Sequence, residues 1–438
     1  MTAADPNGSS LRRSLGFRAL TIYGIGDILG AGIYALIGGV TAAAGTAGWL
    51  SFVIAMCVAG LTGLSYAELV SRYPHSGGES AFCLEAFKSP RLSFLMGWLV
   101  LWSGMVSMSA VAHACADYVN EFADVSKWPI WVVFLGGVAA VNFWGIRQSS
   151  AANIAFTIIE ASGLLLVIVA GVWFLWSGGA APDGDAPEAA GQPALWGVMS
   201  GAALAFYAFI GFEDMVNVAE EVHEPQRAFP RAIITAMLVC GAVYAAVSLV
   251  AVAVVPPREL AESDGPLLDV IRRAAPNVPE SLFTLIALVA VANTGLLNAV
   301  MGSRLIFGMA RKRLLPGWLA VVHSRTATPH RAVLLVLGIG LVLVFTGALP
   351  QLAATTSLLL LIVFIVVNAS LIRIRSRDGR LAGAFSVPLV IPVLAIPVSG
   401  GLIVFVKPES LVLGLAIIAT GALLAALRGR HAVDSVDS

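Results

Sequence analysis

Two carboxyls and a run of glycines stand where an apolar chain would be expected to be most uniform. Asp27 lies inside Tyr23-Gly24-Ile25-Gly26-Asp27-Ile28-Leu29-Gly30-Ala31-Gly32-Ile33-Tyr34, and Glu160 inside Ala155-Phe156-Thr157-Ile158-Ile159-Glu160-Ala161-Ser162-Gly163. A carboxylate in such surroundings is costly unless it is paired, hydrated or protonated, so each is a candidate for holding a cation or carrying a proton. The glycines offer main-chain chemistry. They hold helix poorly, and a helix that breaks exposes N–H groups to an anion and carbonyls to a cation. A second stretch combines the same features: Gly201-Ala202-Ala203-Leu204-Ala205-Phe206-Tyr207-Ala208-Phe209-Ile210-Gly211-Phe212-Glu213-Asp214. Plainer readings stand beside these. Glycine faces let two helices pack closely, Asp27 could cap a helix start, and Glu160 could be hydrated or paired near the end of its segment.

These residues need long apolar elements to position them, and the composition supplies such elements. Of 438 residues, 58% are hydrophobic and 12% charged, with zero net charge; soluble domains carry about a quarter charged residues. The chain is therefore expected to be an all-α integral membrane protein surrounded by lipids, with no nucleic acid partner. Apolar runs near the spanning length of about 20 residues fall at 15–41, 47–70, 92–114, 129–147, 152–176, 195–219, 229–255, 281–309, 332–349, 352–372, 386–406 and 410–427. That makes about twelve transmembrane helices. Arg12, Arg13 and Arg18 precede the first run without a cleavage signal, so this run is expected to be retained. With the N-terminus inside, all of the 26 Lys and Arg except Lys127, Arg258, Arg272, Arg273 and Lys407 lie at or near the inner face, which predicts a multi-pass cell-membrane protein with both termini cytoplasmic. Cys57, Cys83, Cys115 and Cys240 show no paired spacing and read as core residues.

The acidic, Gly- and Pro-rich stretch after Gly178 divides the chain after five spans, and an interrupted helix opens each half. That arrangement points to an inverted-repeat secondary transporter whose site lies between the two breaks. The expected organisation is a cytoplasmic tail at 1–14, a first five-helix repeat at 15–177, an external linker at 178–194, a second inverted repeat at 195–374, two additional helices at 375–428 and a tail at 429–438.

At the same residues the chain resembles the amino acid-polyamine-organocation superfamily, whose members share the leucine-transporter fold. Gly26 to Tyr34, Tyr73-Pro74-His75-Ser76-Gly77-Gly78-Glu79-Ser80-Ala81-Phe82, Ile210 to Glu213 with Ala219 to Arg227, and Gly302 to Arg311 with Leu315-Pro316 carry the resemblance. It implies a 5+5 inverted repeat with discontinuous helices 1 and 6. It also implies that Gly30, Ala31 and Gly32 offer N–H groups to an amino acid's carboxylate, while Ile28, Tyr207, Ala208 and Ile210 offer carbonyls to its ammonium. Phe212 matches an aromatic gate position, although Phe206, Phe209 and Phe212 also have the spacing of a packing face. Some proton-coupled relatives place a lysine where Glu160 stands, so Glu160, with Asp27 next, is the candidate for proton coupling. By analogy with sodium-coupled relatives, Asn293 and Thr294 with the Gly26 backbone could hold sodium; sodium-independent uptake is expected instead. Glu213 and Asp214 would attract a second cationic group, such as that of a basic amino acid or polyamine. Ser76 to Glu79, and Glu220, Glu221, Glu224 and Arg227, are expected to form inner-face contacts, and His113 to be a hydrogen-bonded structural residue. Ser107, Ser109, Asn293, Thr294 and Asn298 are candidates for the side-chain pocket.

The expected function is thus a proton-coupled amino acid permease working by alternating access, with an amino acid/polyamine exchanger and a sodium symporter as alternatives. A channel would need a continuous polar lining. A membrane nutrient sensor that binds without carrying stays open. No catalytic residues, metal or cofactor are expected, because no metal-ligand cluster, Gly-x-Ser-x-Gly or phosphate loop occurs.

Overall fold

The computed structural model describes residues 15–74, 78–144, 149–179, 194–311, 315–323, 326, 328–381, 383 and 385–434. The expected tail at 1–14, residues 435–438 of the expected tail at 429–438, Ser76 and Gly77, and most of the 178–194 linker lie outside them. The described chain is helical. Its α-helices are α1 (Phe17–Ala44), α2 (Gly48–Arg72), α3 (Gly78–Phe87), α4 (Pro90–Asn120), α5 (Lys127–Trp144), α6 (Ser149–Trp176), α7 (Ala194–Ala205), α8 (Pro225–Val254), α9 (Pro257–Glu262), α10 (Pro266–Ala274), α11 (Glu280–Arg311), α12 (His330–Leu343), α13 (Leu349–Asp378), α14 (Val390–Ile403) and α15 (Pro408–Asp434). Among the described residues, nine helical segments are long and apolar enough to cross a membrane, α12 and α14 being shorter apolar helices. A spanning backbone must satisfy its own N–H and C=O groups, which leaves helix as the form open to these apolar runs.

Local chemistry sets the ends. Pro90 stands in the first turn of α4, where its missing N–H costs nothing, and the Ser89 hydroxyl accepts from the Leu92 N–H. Leu349-Pro350, between the ninth and tenth apolar runs, opens α13 instead of linking it to α12: Pro350 suits the first turn, and the Ala348 N–H donates to Gln351 Oε1 at 3.0 Å.

α1 and α2 pack on each other and each packs on α7 and α8, and α4 packs on α11, α13 and α15, with α6 and α11 also meeting α1. Small residues allow the close approaches. A β-carbon on Gly63 of α2 would fall 2.7 Å from the Met237 sulfur of α8, and one on Gly24 of α1 would fall 2.5 Å from that of Met215. Buried polar groups tie helices together as well. Ser65 Oγ donates to Asn368 Oδ1 at 2.6 Å, and Asn368 Nδ2 donates to Thr62 Oγ1 at 3.0 Å, joining α2 to α13. One turn on, the fully buried Glu68 receives Arg375 Nη1 at 2.7 and 2.9 Å, Arg72 Nε at 3.0 Å and the Val387 N–H at 2.8 Å.

Candidate functional site

Two helices break and meet. Gly30 interrupts α1 with φ −8° and ψ −158°, values no helical residue has. After α7 the chain tightens into a 3-10 turn at Phe206–Phe209, extends at Ile210 with ψ 139°, turns through Gly211 at φ +127°, and resumes as 3-10 helix at Asp214–Glu221. The sequence accounts for the turn, since only glycine adopts that φ without strain and Glu213 Oε2 accepts the Gly211 N–H at 2.9 Å. A β-carbon on Gly32 would fall 2.6 Å from the Ala208 Cα, so the two broken segments touch backbone to backbone.

Between them lies a small, partly open cavity of about 40 Å³, lined by Asp27, Ile28, Gly30, Ala31, Gly32, Tyr207, Ala208, Ile210, Gly211 and Asp214 from the two breaks, with Ser107 of α4 and Thr294, Leu297 and Asn298 of α11. The structure thus gathers seven of the eight residues expected to bind substrate. Phe212 is the exception. Its ring is buried beside Tyr66 at 5.5 Å and Phe364 at 5.2 Å, outside the lining.

Several of the main-chain groups in question already have protein partners. The Tyr244 hydroxyl of α8 lies 2.5 Å from the Ile28 carbonyl oxygen and 3.0 Å from that of Ala208, and its single proton, shared between them, clamps one break to the other. The Tyr207 carbonyl accepts the Ile210 N–H at 3.2 Å. The Ala31 N–H donates to Thr294 Oγ1 at 2.8 Å, so this group at the break is capped by Thr294 and not by Asp27. Across the cavity, Ser107 Oγ and the Tyr207 hydroxyl are 2.8 Å apart, and Asn298 Nδ2 donates to Ser107 Oγ at 3.0 Å. This end of the cavity is polar.

Glu160 of α6 is fully buried outside the lining. Its Oε1 accepts from Asn293 Nδ2 at 3.0 Å, while Oε2 has no hydrogen-bond partner among the described residues. Asp27 Oδ2 is buried and equally without a hydrogen-bond partner among the described residues. Asn293 and Thr294 are therefore engaged by Glu160 and Ala31, respectively. His113 is bonded through Nε2 to the Val344 carbonyl at 2.9 Å. Of the expected inner-face contacts, Glu79 accepts from the Tyr66 hydroxyl at 2.8 Å, Glu224 and Arg227 form an exposed pair at 3.8 Å, and the side chains of Glu220 and Glu221 lie outside the described set. Sequence reasoning missed Tyr244 and Leu297. Tyr244 had one signal, a phenol inside an apolar helix, which needs a partner when buried.

A sequence profile of a family described as "Amino acid permease" matches residues 15–427. The chain is similar to the "Uncharacterized transporter Rv1999c" of Mycobacterium tuberculosis, 31% identical over 98% of this chain and 95% of that protein. It is 29% identical to the branched-chain amino acid permease BcaP of Bacillus subtilis, over 90% of this chain and 88% of that protein. It is 30% identical to the vacuolar cationic amino acid transporter 2 of Arabidopsis thaliana, over 84% of this chain and 61% of that protein.

Proposed function

The chain belongs to the amino acid permease family, and from that premise we propose that it is a secondary active transporter carrying amino acids across the cell membrane by alternating access. In this reading twelve helices cross the bilayer as two inverted five-helix repeats followed by two further helices, with both termini cytoplasmic. The observation that carries it is the cavity where the breaks of α1 and of the α7 segment meet, lined by main chain from both. The start of the second half of α1, with the N–H groups of Gly30, Ala31 and Gly32, is the positive end of a helix dipole and takes the carboxylate. The carbonyls of Ile28, Tyr207, Ala208 and Ile210 take the ammonium; a carbonyl has two lone pairs, so those already bonded can still accept. Phe212 packs outside the lining here, so its role as a gate requires that its segment move.

Glu160 couples transport to protons, with Asp27 as the second titratable group. The support is its full burial, an oxygen without a partner among the described residues, and its bond to Asn293 Nδ2. Uptake is accordingly sodium-independent. A second reading, exchange of a basic amino acid or polyamine, is favoured by Asp27 and Asp214 on the cavity wall and by the absence of any Lys, Arg or His from the lining residues.

The test is a thermal-shift screen of the common amino acids and polyamines on purified protein, followed by counterflow in proteoliposomes. Saturable uptake is expected, and Ala31→Val, which crowds the break with a branched side chain, should abolish binding at undiminished expression. Binding without flux would instead establish a sensor, and wild-type transport by Ala31→Val would remove the main-chain carboxylate site.

A further inference from the structure

Ala31 follows the break at Gly30, and the free N–H groups of a helix start need an acceptor from elsewhere. Here the acceptor comes from another helix. Thr294 Oγ1 of α11 accepts the Ala31 N–H at 2.8 Å and donates its own proton to the Ala290 carbonyl at 3.2 Å, so both hydrogen-bonding capacities of the hydroxyl are directed. Gly30 makes room for this contact: a β-carbon there would fall 2.4 Å from Oγ1. Gly30, Ala31, Gly32 and Thr294 all line the cavity.

We infer that Thr294 is a specificity-determining residue, an internal competitor that a substrate carboxylate must displace to gain the Ala31 N–H. This rests on the main-chain carboxylate site proposed above. The exchange is selective by charge. A carboxylate forms a charge-assisted bond about twice as strong as a neutral one and so outcompetes the hydroxyl. A neutral acceptor only matches the hydroxyl, and an amine without a carboxylate has no use for the position. Thr294 therefore lowers the absolute affinity for amino acids while rejecting ligands that bring a neutral acceptor to the break.

The experiment measures Kd on purified protein with two pairs differing only in the carboxylate: L-leucine with 3-methylbutylamine, and L-lysine with 1,5-diaminopentane. Thr294→Ala removes the competitor and leaves space, so the Kd of a bound amino acid should fall by about threefold to tenfold, the range of one net hydrogen bond. The Kd of the matched amine should change by less than about twofold. Thr294→Cys, with a weak sulfur acceptor, should fall between, and Thr294→Ser should restore the wild-type value; the Cys variant decides the matter if the Ala variant does not fold. Equal or weaker amino acid binding in Thr294→Ala and Thr294→Cys, or an equal gain for the amine, overturns the inference. Ala31→Val binding the amino acids as the wild type does, or neither amino acid binding the wild type, overturns the carboxylate site itself and the inference with it.

Discussion

A β-carbon on Gly211 would fall 2.5 Å from the Asp27 carbonyl oxygen and 2.7 Å from its carbon, so the backbones of the two broken helices meet here with no side chain between them. Gly211 also has φ +127°, which an L side chain adopts only under strain of about 1–3 kcal/mol. Gly211→Ala is thus expected to lower stability by about 2 kcal/mol or more and to abolish substrate binding by forcing the breaks apart. Melting curves in detergent and a binding isotherm check both. A variant that melts and binds like the wild type would mean that the segments can separate without harm to the site.

Glu160→Gln mimics a protonated carboxyl that cannot release its proton, and its side-chain carbonyl can still accept from Asn293 Nδ2. It should preserve binding and counterflow exchange while removing the acceleration of net uptake by an inward proton gradient. A population of states is shifted only by a ligand with different affinities for them, so gradient-driven uptake is the measurement that addresses coupling. Gradient-driven uptake at the wild-type rate would assign Glu160 to structure and turn attention to Asp27.

Arg375 and Glu68, both buried, join α13 to α2. Arg375→Ala leaves a buried carboxylate with Arg72 and the Val387 N–H as its remaining partners. The loss should be about 3 kcal/mol, at the low end of the cost of breaking a buried pair because Arg72 stays. The triple variant Glu68→Gln/Arg72→Gln/Arg375→Met should recover a good part of it, since removing the carboxylate together with both guanidiniums leaves no uncompensated charge. Thermal melts of the wild type and the two variants decide, and a triple variant no more stable than Arg375→Ala would refute the account.

Burial raises the Glu79 carboxyl above its ordinary value of 4.5. The folded protein then holds this proton more tightly than the unfolded chain does. The associated stability is fully present below 4.5 and is lost as pH rises through the folded value. Glu79→Gln keeps an acceptor for the Tyr66 hydroxyl and removes the titration. Its melting temperature should decline less steeply with rising pH than that of the wild type, and parallel profiles would show that Glu79 does not titrate in this range.

The helical character and the places of interruption were legible in the residues because they depend on local rules. Apolar runs in a bilayer have helix as their available form, and Gly30 and Gly211 mark the positions where that form gives way. The side of the chain that Phe212 faces was not legible. Its spacing from Phe206 and Phe209 suited packing as well as gating, and only the neighbouring Tyr66 and Phe364, from α2 and α13, put the ring outside the cavity lining.

Sequence alone determined a polytopic helical chain with glycine-bearing breaks and carboxyls inside apolar helices. Which groups meet was decided by tertiary structure. Thr294 on Ala31, Tyr244 on Ile28 and Ala208, Asn293 on Glu160 and Arg375 on Glu68 are contacts between different helices, four of them joining residues more than a hundred apart and one, Tyr244 with Ala208, joining residues 36 apart. The physical reason is that propensity and hydropathy act over one or two helical turns, whereas a free N–H, carbonyl or carboxylate takes whatever partner the packing of other helices brings within about 3 Å. A break can be read from its glycines, but what satisfies it belongs to the helix that packs across from it.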